Sequence, residues 1–130
     1  MSDRMRPLLG LTKMVLDAEL AKLRALSDET RRRQDEIADL QATLAARSAD
    51  VKRADPATDL SLLSGRDAHW QSWVGVTRRR LTGEAAEIAA RREAQRLRAQ
   101  RAFGQVHALD ALSRLAQEEE RRKENRKSQT

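Results

Sequence analysis

The chain has 130 residues and a formal net charge of +6, and 35% of its residues are charged whereas 2% are aromatic. This composition leaves little material for a globular core, and the regular spacing of the aliphatic residues is not typical of a disordered chain. No cysteine is present, which excludes disulfides and thiolate metal sites and is compatible with a reducing cytoplasm. No stretch approaches the roughly twenty apolar residues of a membrane span, and we expect no signal peptide.

The first half of the chain predicts one long helix over about residues 7–53. Pro7 is suited to a first helical turn, because the amide that it lacks would be unpaired there. Apolar residues and one threonine then recur every seven residues at Leu16, Leu23, Thr30, Ile37, Leu44 and Val51. Leu26, Arg33, Leu40 and Arg47 occupy the intervening positions of the repeat. Such a repeat is typical of a helix that packs along a second helix.

The helical pattern breaks over residues 54–66, which we interpret as a hairpin tip. Pro56 disfavours helix at the residue before it, and Gly65 separates a leucine cluster from the next helical run. The polar and apolar residues of this tip include Thr58, Asp59, Leu60, Leu62 and Leu63. Asp67 is the predicted N-cap of the second helix.

A second helix is predicted over about residues 67–126. Its apolar stripe comprises Leu81, Ala85, Ile88, Ala99, Ala102, Val106, Leu109 and Ala116. A helix of this length would extend roughly 90 Å and needs an equally long partner. The sequence therefore predicts a single all-α domain over residues 1–130, a long two-helix antiparallel coiled-coil hairpin. Everything after about Leu115 is expected to overhang as a single helix.

Charge indicates a register for the two helices. A turn centred near residue 60 places Arg31, Arg32 and Arg33 near Glu84 and Glu87, so unlike charges face each other. The same register places Val51 opposite Trp70. Four seam positions are polar, namely Thr30, Arg33, Arg92 and Gln95. We expect leucine at Arg92 and Gln95 to stabilise the hairpin, because buried polar seam residues usually reduce stability.

Basic residues are unevenly distributed. Residues 1–65 contain 11 basic and 11 acidic side chains, whereas residues 66–130 contain 15 and 9. An acidic partner surface is therefore expected. One cluster without counter-charge on the facing helix is predicted to form a basic girdle of Lys22, Arg24, Arg96 and Arg98.

Catalytic or cofactor chemistry is not indicated. His69 and His107 lie far apart, and neither has metal ligands at suitable spacing. We expect no enzyme activity, no cofactor and no metal. The arginine triplets at 31–33 and 78–80 fit an ion-paired surface better than a nucleic-acid contact. Trp70 and Trp73 are expected to plug the tip or contact a partner, and residues three apart cannot easily both face inward.

The closing run at 106–115, VHALDALSRL, leads into EEERRKE at 118–124. Together with the two long helices and the leucine patch near the amino terminus, it resembles the FliJ family of flagellar and related type III export proteins. The resemblance implies a non-enzymatic cytoplasmic protein of flagellum biogenesis and protein transport, peripheral to the inner membrane through its partners. Family members look like the central stalk of a rotary ATPase. Their helix termini enter the pore of the hexameric export ATPase, and the middle of the coil touches the cytoplasmic platform of the export gate.

On this basis three partner-binding sets are predicted. The ATPase end comprises Leu8, Leu9, Leu11, Leu112, Arg114, Leu115, Arg121, Arg122 and Lys123. The basic girdle and the tip tryptophans form the other two sets, and export chaperones are further candidate partners. Two alternatives stay open: a structural coiled-coil adaptor or chaperone that joins two proteins, and a nucleic-acid-associated basic coiled coil. Stimulation of a hexameric ATPase would favour the stalk, and salt-steep binding to duplex DNA would favour the last alternative.

Overall fold

The computed structural model describes residues 2–53, 55 and 65–129, and in these ranges the secondary structure consists of two long α-helices. Helix α1 spans Ser2–Arg53 and helix α2 spans Arg66–Gln129. Side chains of the two helices contact each other. The predicted all-α class is thereby confirmed. The tip residues Pro56, Thr58, Asp59, Leu60, Leu62 and Leu63 lie outside the described residues.

The chain divides into two compact units. The terminal unit combines Met1–Ala25 with Arg92–Thr130, and the middle unit is Leu26–Arg91. Each unit contains a part of both helices, so each has interhelical contacts of its own.

Helix α1 begins at Ser2, ahead of the start near residue 7 that the sequence predicted. Pro7 therefore lies in the second turn and not in the first. A proline beyond the first turn removes a backbone hydrogen bond and costs about 3 kcal/mol. We expect the turn ahead of Pro7 to be the least stable part of α1.

The predicted seven-residue repeat of α1 is confirmed as its packing face. All ten predicted positions from Leu16 to Val51, including Arg33 and Arg47, are half-buried. The same spacing of three and four extends toward the amino terminus through Met5, Leu9, Thr12 and Glu19, which are also half-buried. This series of half-buried positions is called the seam of α1 below.

The most deeply buried side chains lie on α2 and also recur every seven residues. The repeat comprises Val74, Leu81, Ile88, Gln95 and Ala102, with exposed fractions between 2% and 6%. Ala99 is also buried, at 5%, and lies between the last two. Every predicted stripe residue of α2 is buried or half-buried, which confirms that stripe. Gln95 is buried as predicted, whereas Arg92 is exposed, so its assignment to the seam was wrong. Gln95 is buried because it lies seven residues from both Ile88 and Ala102, on the same face of the helix.

Gly65 starts helix α2. Its φ of 75° lies in a region that glycine adopts without steric cost. Its carbonyl accepts a hydrogen bond from the backbone amide of His69 at 3.2 Å, so Gly65 is the N-cap and Arg66 the first helical residue. The prediction of Asp67 as the N-cap was wrong by two residues. Asp67 lies within the first turn, where its charge favours the helix dipole.

Two ion pairs fix the register within the middle unit. Arg33 Nε lies 3.6 Å from Glu84 Oε2, which confirms one predicted pairing. Arg47 Nε donates to Asp67 Oδ1 at 2.6 Å. Arg47 follows Arg33 along α1, whereas its partner Asp67 precedes Glu84 along α2. Trp70 lines a hollow with Arg47, so the prediction that it faces Val51 was wrong by about one helical turn. The shift arises because α1 continues for more than a turn past the residue that faces the start of α2.

Candidate partner-binding surfaces

The leucine patch near the amino terminus is divided between two faces of α1. Leu8 and Leu11 are 48% and 59% exposed, whereas Leu9 is a half-buried seam residue. Leu9 therefore contributes to helix packing, and its assignment to the ATPase end stays a prediction. Met14 and Val15 belong to the same apolar patch and are also exposed, although the sequence did not assign them to the ATPase end.

The carboxy-terminal part of α2 presents leucines and then charge. Leu112 and Leu115 are 49% and 57% exposed. Arg114 pairs with Asp110 on the same helix, with 3.2 Å between Nη2 and Oδ2. Residues 117–129, which include Arg121, Arg122 and Lys123, are all exposed. The apolar and basic parts of the predicted ATPase end are thus both accessible.

The basic girdle has counter-charges within the terminal unit, which corrects the sequence-based prediction. Lys22 Nζ lies 3.6 Å from Glu19 Oε1, and Arg96 Nη2 lies 2.7 Å from Glu93 Oε1. Both carboxylates lie three residues before their partner on the same helix. The prediction considered only the facing helix and so missed them. Arg24 and Arg98 are exposed.

Glu19 and Gln95 form a polar contact between the two helices of the terminal unit. Gln95 Nε2 donates to the backbone carbonyl of Glu19 at 3.0 Å and to its carboxylate. This hydrogen bond is the main reason that the pKa of Glu19 is lowered, with a further contribution from the charges of Lys22 and Arg98. The hydrogen bond from Arg96 similarly lowers the pKa of Glu93. A buried amide is thus satisfied by a charged partner.

The two tryptophans differ in exposure. Trp70 is half-buried, whereas Trp73 is 59% exposed. Both line an open hollow of about 470 Å³ on the middle unit, which Leu40, Thr43, Thr77 and Leu81 line as well. The charged residues Glu36, Asp39 and Arg80 also border this hollow. The tip set therefore forms a shallow apolar surface bordered by both signs of charge.

The excess positive charge belongs to one unit. The terminal unit contains 15 basic and 9 acidic side chains, a net charge of +6, whereas the middle unit contains 11 of each. An anionic partner is therefore attracted mainly to the terminal unit.

No group of three or more metal-ligating side chains occurs in the part of the chain that the structure describes. Neither described helix contains an apolar stretch long enough to cross a bilayer. Comparison with protein-family models, with curated proteins and with solved structures finds no match to this chain. The resemblance to an export-apparatus family therefore rests on the residues quoted from the sequence.

Proposed function

We propose that the chain is a non-enzymatic component of a flagellar or type III protein export apparatus. In this role it acts as the central stalk of a hexameric export ATPase and links that ATPase to the cytoplasmic platform of the export gate. The resemblance of the run at 106–124 to the FliJ family supports this role. The protein would work in the cytoplasm and reach the inner membrane through its partners.

One observation carries the proposal, namely the exposed carboxy-terminal part of α2. Leu112 and Leu115 are about half exposed, and residues 117–129 are exposed throughout and include a basic cluster. A pore that turns around a stalk needs apolar contacts that can slide and cations that reach acidic loops. Both kinds of residue are available on this segment.

We propose further that the two helices form an antiparallel coiled coil and that α2 overhangs after Leu115. The order of the two ion pairs in the middle unit supports this arrangement, because the later residue of α1 pairs with the earlier residue of α2. In the terminal unit, Ala102 and Leu109 are buried or half-buried although α1 contributes only residues up to Ala25. Starting from the contact between Glu19 and Gln95, only an opposite direction brings α1 residues of this unit to them.

The test is truncation after Leu115, with binding to the purified export ATPase measured by pull-down and ATP hydrolysis measured in parallel. The truncation removes one half-buried alanine, Ala116, and the exposed residues 117–129, so the shortened chain should retain its melting temperature to within a few degrees. Binding and stimulation should be lost. The full-length chain is the control for both readouts.

Normal binding and stimulation by the truncated chain would overturn the stalk role of this segment. The tryptophan surface of the middle unit would then be the better candidate. A Trp73→Ala variant separates the two outcomes, because the stalk proposal predicts that it stimulates the ATPase normally.

A structural adaptor is the second candidate function, and the tryptophan surface favours it. Trp73 is exposed beside an apolar hollow, and tryptophan is enriched at protein interfaces. Loss of a partner with Trp73→Ala, together with an absence of any effect on ATP hydrolysis, would favour the adaptor. The nucleic-acid alternative has less support, because Arg33 and Arg80 both pair with Glu84.

A further inference from the structure

A second apolar stripe runs along α1 beside its seam. The residues that directly precede the seam residues are Arg4, Leu8, Leu11, Val15, Ala18 and Lys22, and all six are exposed. Four of them are apolar and none is acidic. The residues that directly follow the seam residues are mostly polar, namely Arg6, Gly10, Lys13, Asp17, Leu20 and Arg24. One flank of the seam is thus apolar and the other is charged.

Helix α2 of the terminal unit has the same asymmetry. On this helix the exposed residues Ala108, Leu112 and Leu115 directly precede the half-buried residues Leu109, Ser113 and Ala116. Arg98 and Arg101 occupy the same flank closer to the middle unit. Gln105, which directly precedes the half-buried Val106, is exposed and is the uncharged polar member of this flank.

The two apolar flanks lie on the same side of the helix pair. A residue one position before the seam is rotated by about 100° from it on either helix. With the opposite helix directions proposed above, this rotation brings both flanks to one side. The paired helices therefore present a groove between two apolar stripes, with the small residue Ala108 along one wall.

The charge of this groove identifies its occupant. Its charged stripe residues are all basic, namely Arg4, Lys22, Arg98 and Arg101. The nearby carboxylate of Glu19 is already engaged by Gln95 and Lys22. A second copy of this chain would bring cations against cations, which disfavours it. A helix with acidic residues beside its apolar stripe would complement the groove.

We propose that the terminal unit binds one amphipathic acidic helix of a protein partner in this groove, completing a three-helix arrangement. This interaction goes beyond the stalk role. The groove shares Leu8, Leu11, Leu112 and Leu115 with the predicted ATPase end, whereas Val15 and Ala108 belong to the groove alone. Peptide binding and ATPase stimulation are separate measurements, so the two proposals can be tested separately.

The test uses the full-length chain and a labelled synthetic peptide of about three heptads. The peptide carries leucine and alanine at spacings of three and four and glutamate at the flanking positions. A second peptide has lysine in place of each glutamate. By fluorescence anisotropy, the glutamate peptide should bind at least about tenfold more tightly than the lysine peptide.

Val15→Arg and Ala108→Arg should each weaken binding of the glutamate peptide by about tenfold or more. Each variant adds a positive charge, so a loss of affinity reports obstruction of the groove and not a loss of attraction. The matched control is Phe103→Arg, since Phe103 is 55% exposed and directly follows the buried Ala102 on the other flank. This control should change the affinity less than about twofold.

Failure of the glutamate peptide to bind, or equal binding of the two peptides, would overturn the inference. So would an equal loss of affinity with Phe103→Arg. A concentration-dependent dimer that Ala108→Arg abolishes would identify a second copy as the occupant instead. Binding of the chain to anionic vesicles that Val15→Arg abolishes, without peptide binding, would identify a lipid surface.

Discussion

At the scale of single residues, Gln95 is the polar residue in the buried seven-residue repeat of α2. The other members of this repeat are valine, leucine, isoleucine and alanine. Its amide is 6% exposed and donates to both the backbone and the carboxylate of Glu19. The amide is therefore satisfied, and its partner is a charged group that would lose a donor on substitution. The expectation that leucine at position 95 stabilises the protein is accordingly reversed.

Gln95→Leu should lower the melting temperature at neutral pH, and the difference from wild type should shrink as the pH falls through the lowered pKa of Glu19. The pKa of Glu19 is lowered in the folded state from an ordinary value of 4.5, chiefly by Gln95. Its contribution to stability is therefore present above that value and is lost as the pH falls through the lowered pKa. The difference in melting temperature is measured by thermal melts monitored by circular dichroism, at pH values from about 2 to about 7. Glu124→Gln in the exposed tail is the control, and a difference independent of pH would contradict the assignment to Glu19.

At the scale of the elements, the start of α2 depends on a contact with α1. The bond from Arg47 to Asp67 is 2.6 Å long, and the two side chains are 24% and 13% exposed. A charged hydrogen bond that is half withdrawn from water is stronger than an exposed pair. It therefore holds the first turn of α2 in register, next to the hollow that Trp70 lines.

Asp67→Asn should destabilise the protein by about 1–2 kcal/mol, because it weakens a charged hydrogen bond and removes a favourable charge from the first turn of a helix. The matched control is Asp50→Asn, since the pair between Asp50 and Arg53 is 3.9 Å apart and its side chains are 66% and 77% exposed. The control should cost less than about 0.5 kcal/mol. Urea unfolding measures both variants. Equal losses would mean that the contact with Arg47 contributes no more than a surface pair.

At the scale of the whole molecule, the net charge and the seven-residue repeat of α2 are distributed differently between the two units. The repeat of seven continues along α2 from the middle unit into the terminal unit, whereas the net charge of +6 belongs to the terminal unit. Helix pairing is therefore independent of the excess charge. The excess is available for a partner, in line with both proposals made above.

Reversal of Arg121, Arg122 and Lys123 to glutamate should slow association with the export ATPase, and the effect should be larger at low salt than at high salt. Exposed charges steer association over a distance of about 10 Å at 0.1 M salt, and added salt screens them. Association rates from stopped-flow fluorescence at several salt concentrations test this. The control replaces Glu118, Glu119 and Glu120 by glutamine and should not slow association. An effect that is equal at all salt concentrations would contradict steering by these residues.

The sequence predicted the helices and their packing faces well, because a spacing of three and four residues translates directly into one side of a helix. Leu16, Ile37, Leu81 and Ile88 all lie where that spacing places them. The predicted register was wrong by about one helical turn at Trp70. The register depends on where α1 ends and α2 begins. The sequence prediction compared charges between the two helices, whereas Lys22 pairs with Glu19 within one helix. The flank that contains Val15 and Ala108 becomes visible only once the seam is fixed.

The uninterrupted repeat from Val74 to Ala102 limits how this protein can change in length. Deletion of one residue between Ile88 and Gln95 would turn all later residues by about 100° and remove Ala102 from the interface. Removal of seven residues, about 10 Å of helix, would return the same face to α1. Insertions and deletions should therefore be tolerated in steps of seven, each matched by an equal step in α1. Relatives of different length should therefore differ by multiples of seven residues in each helix, because only such steps preserve the packing face.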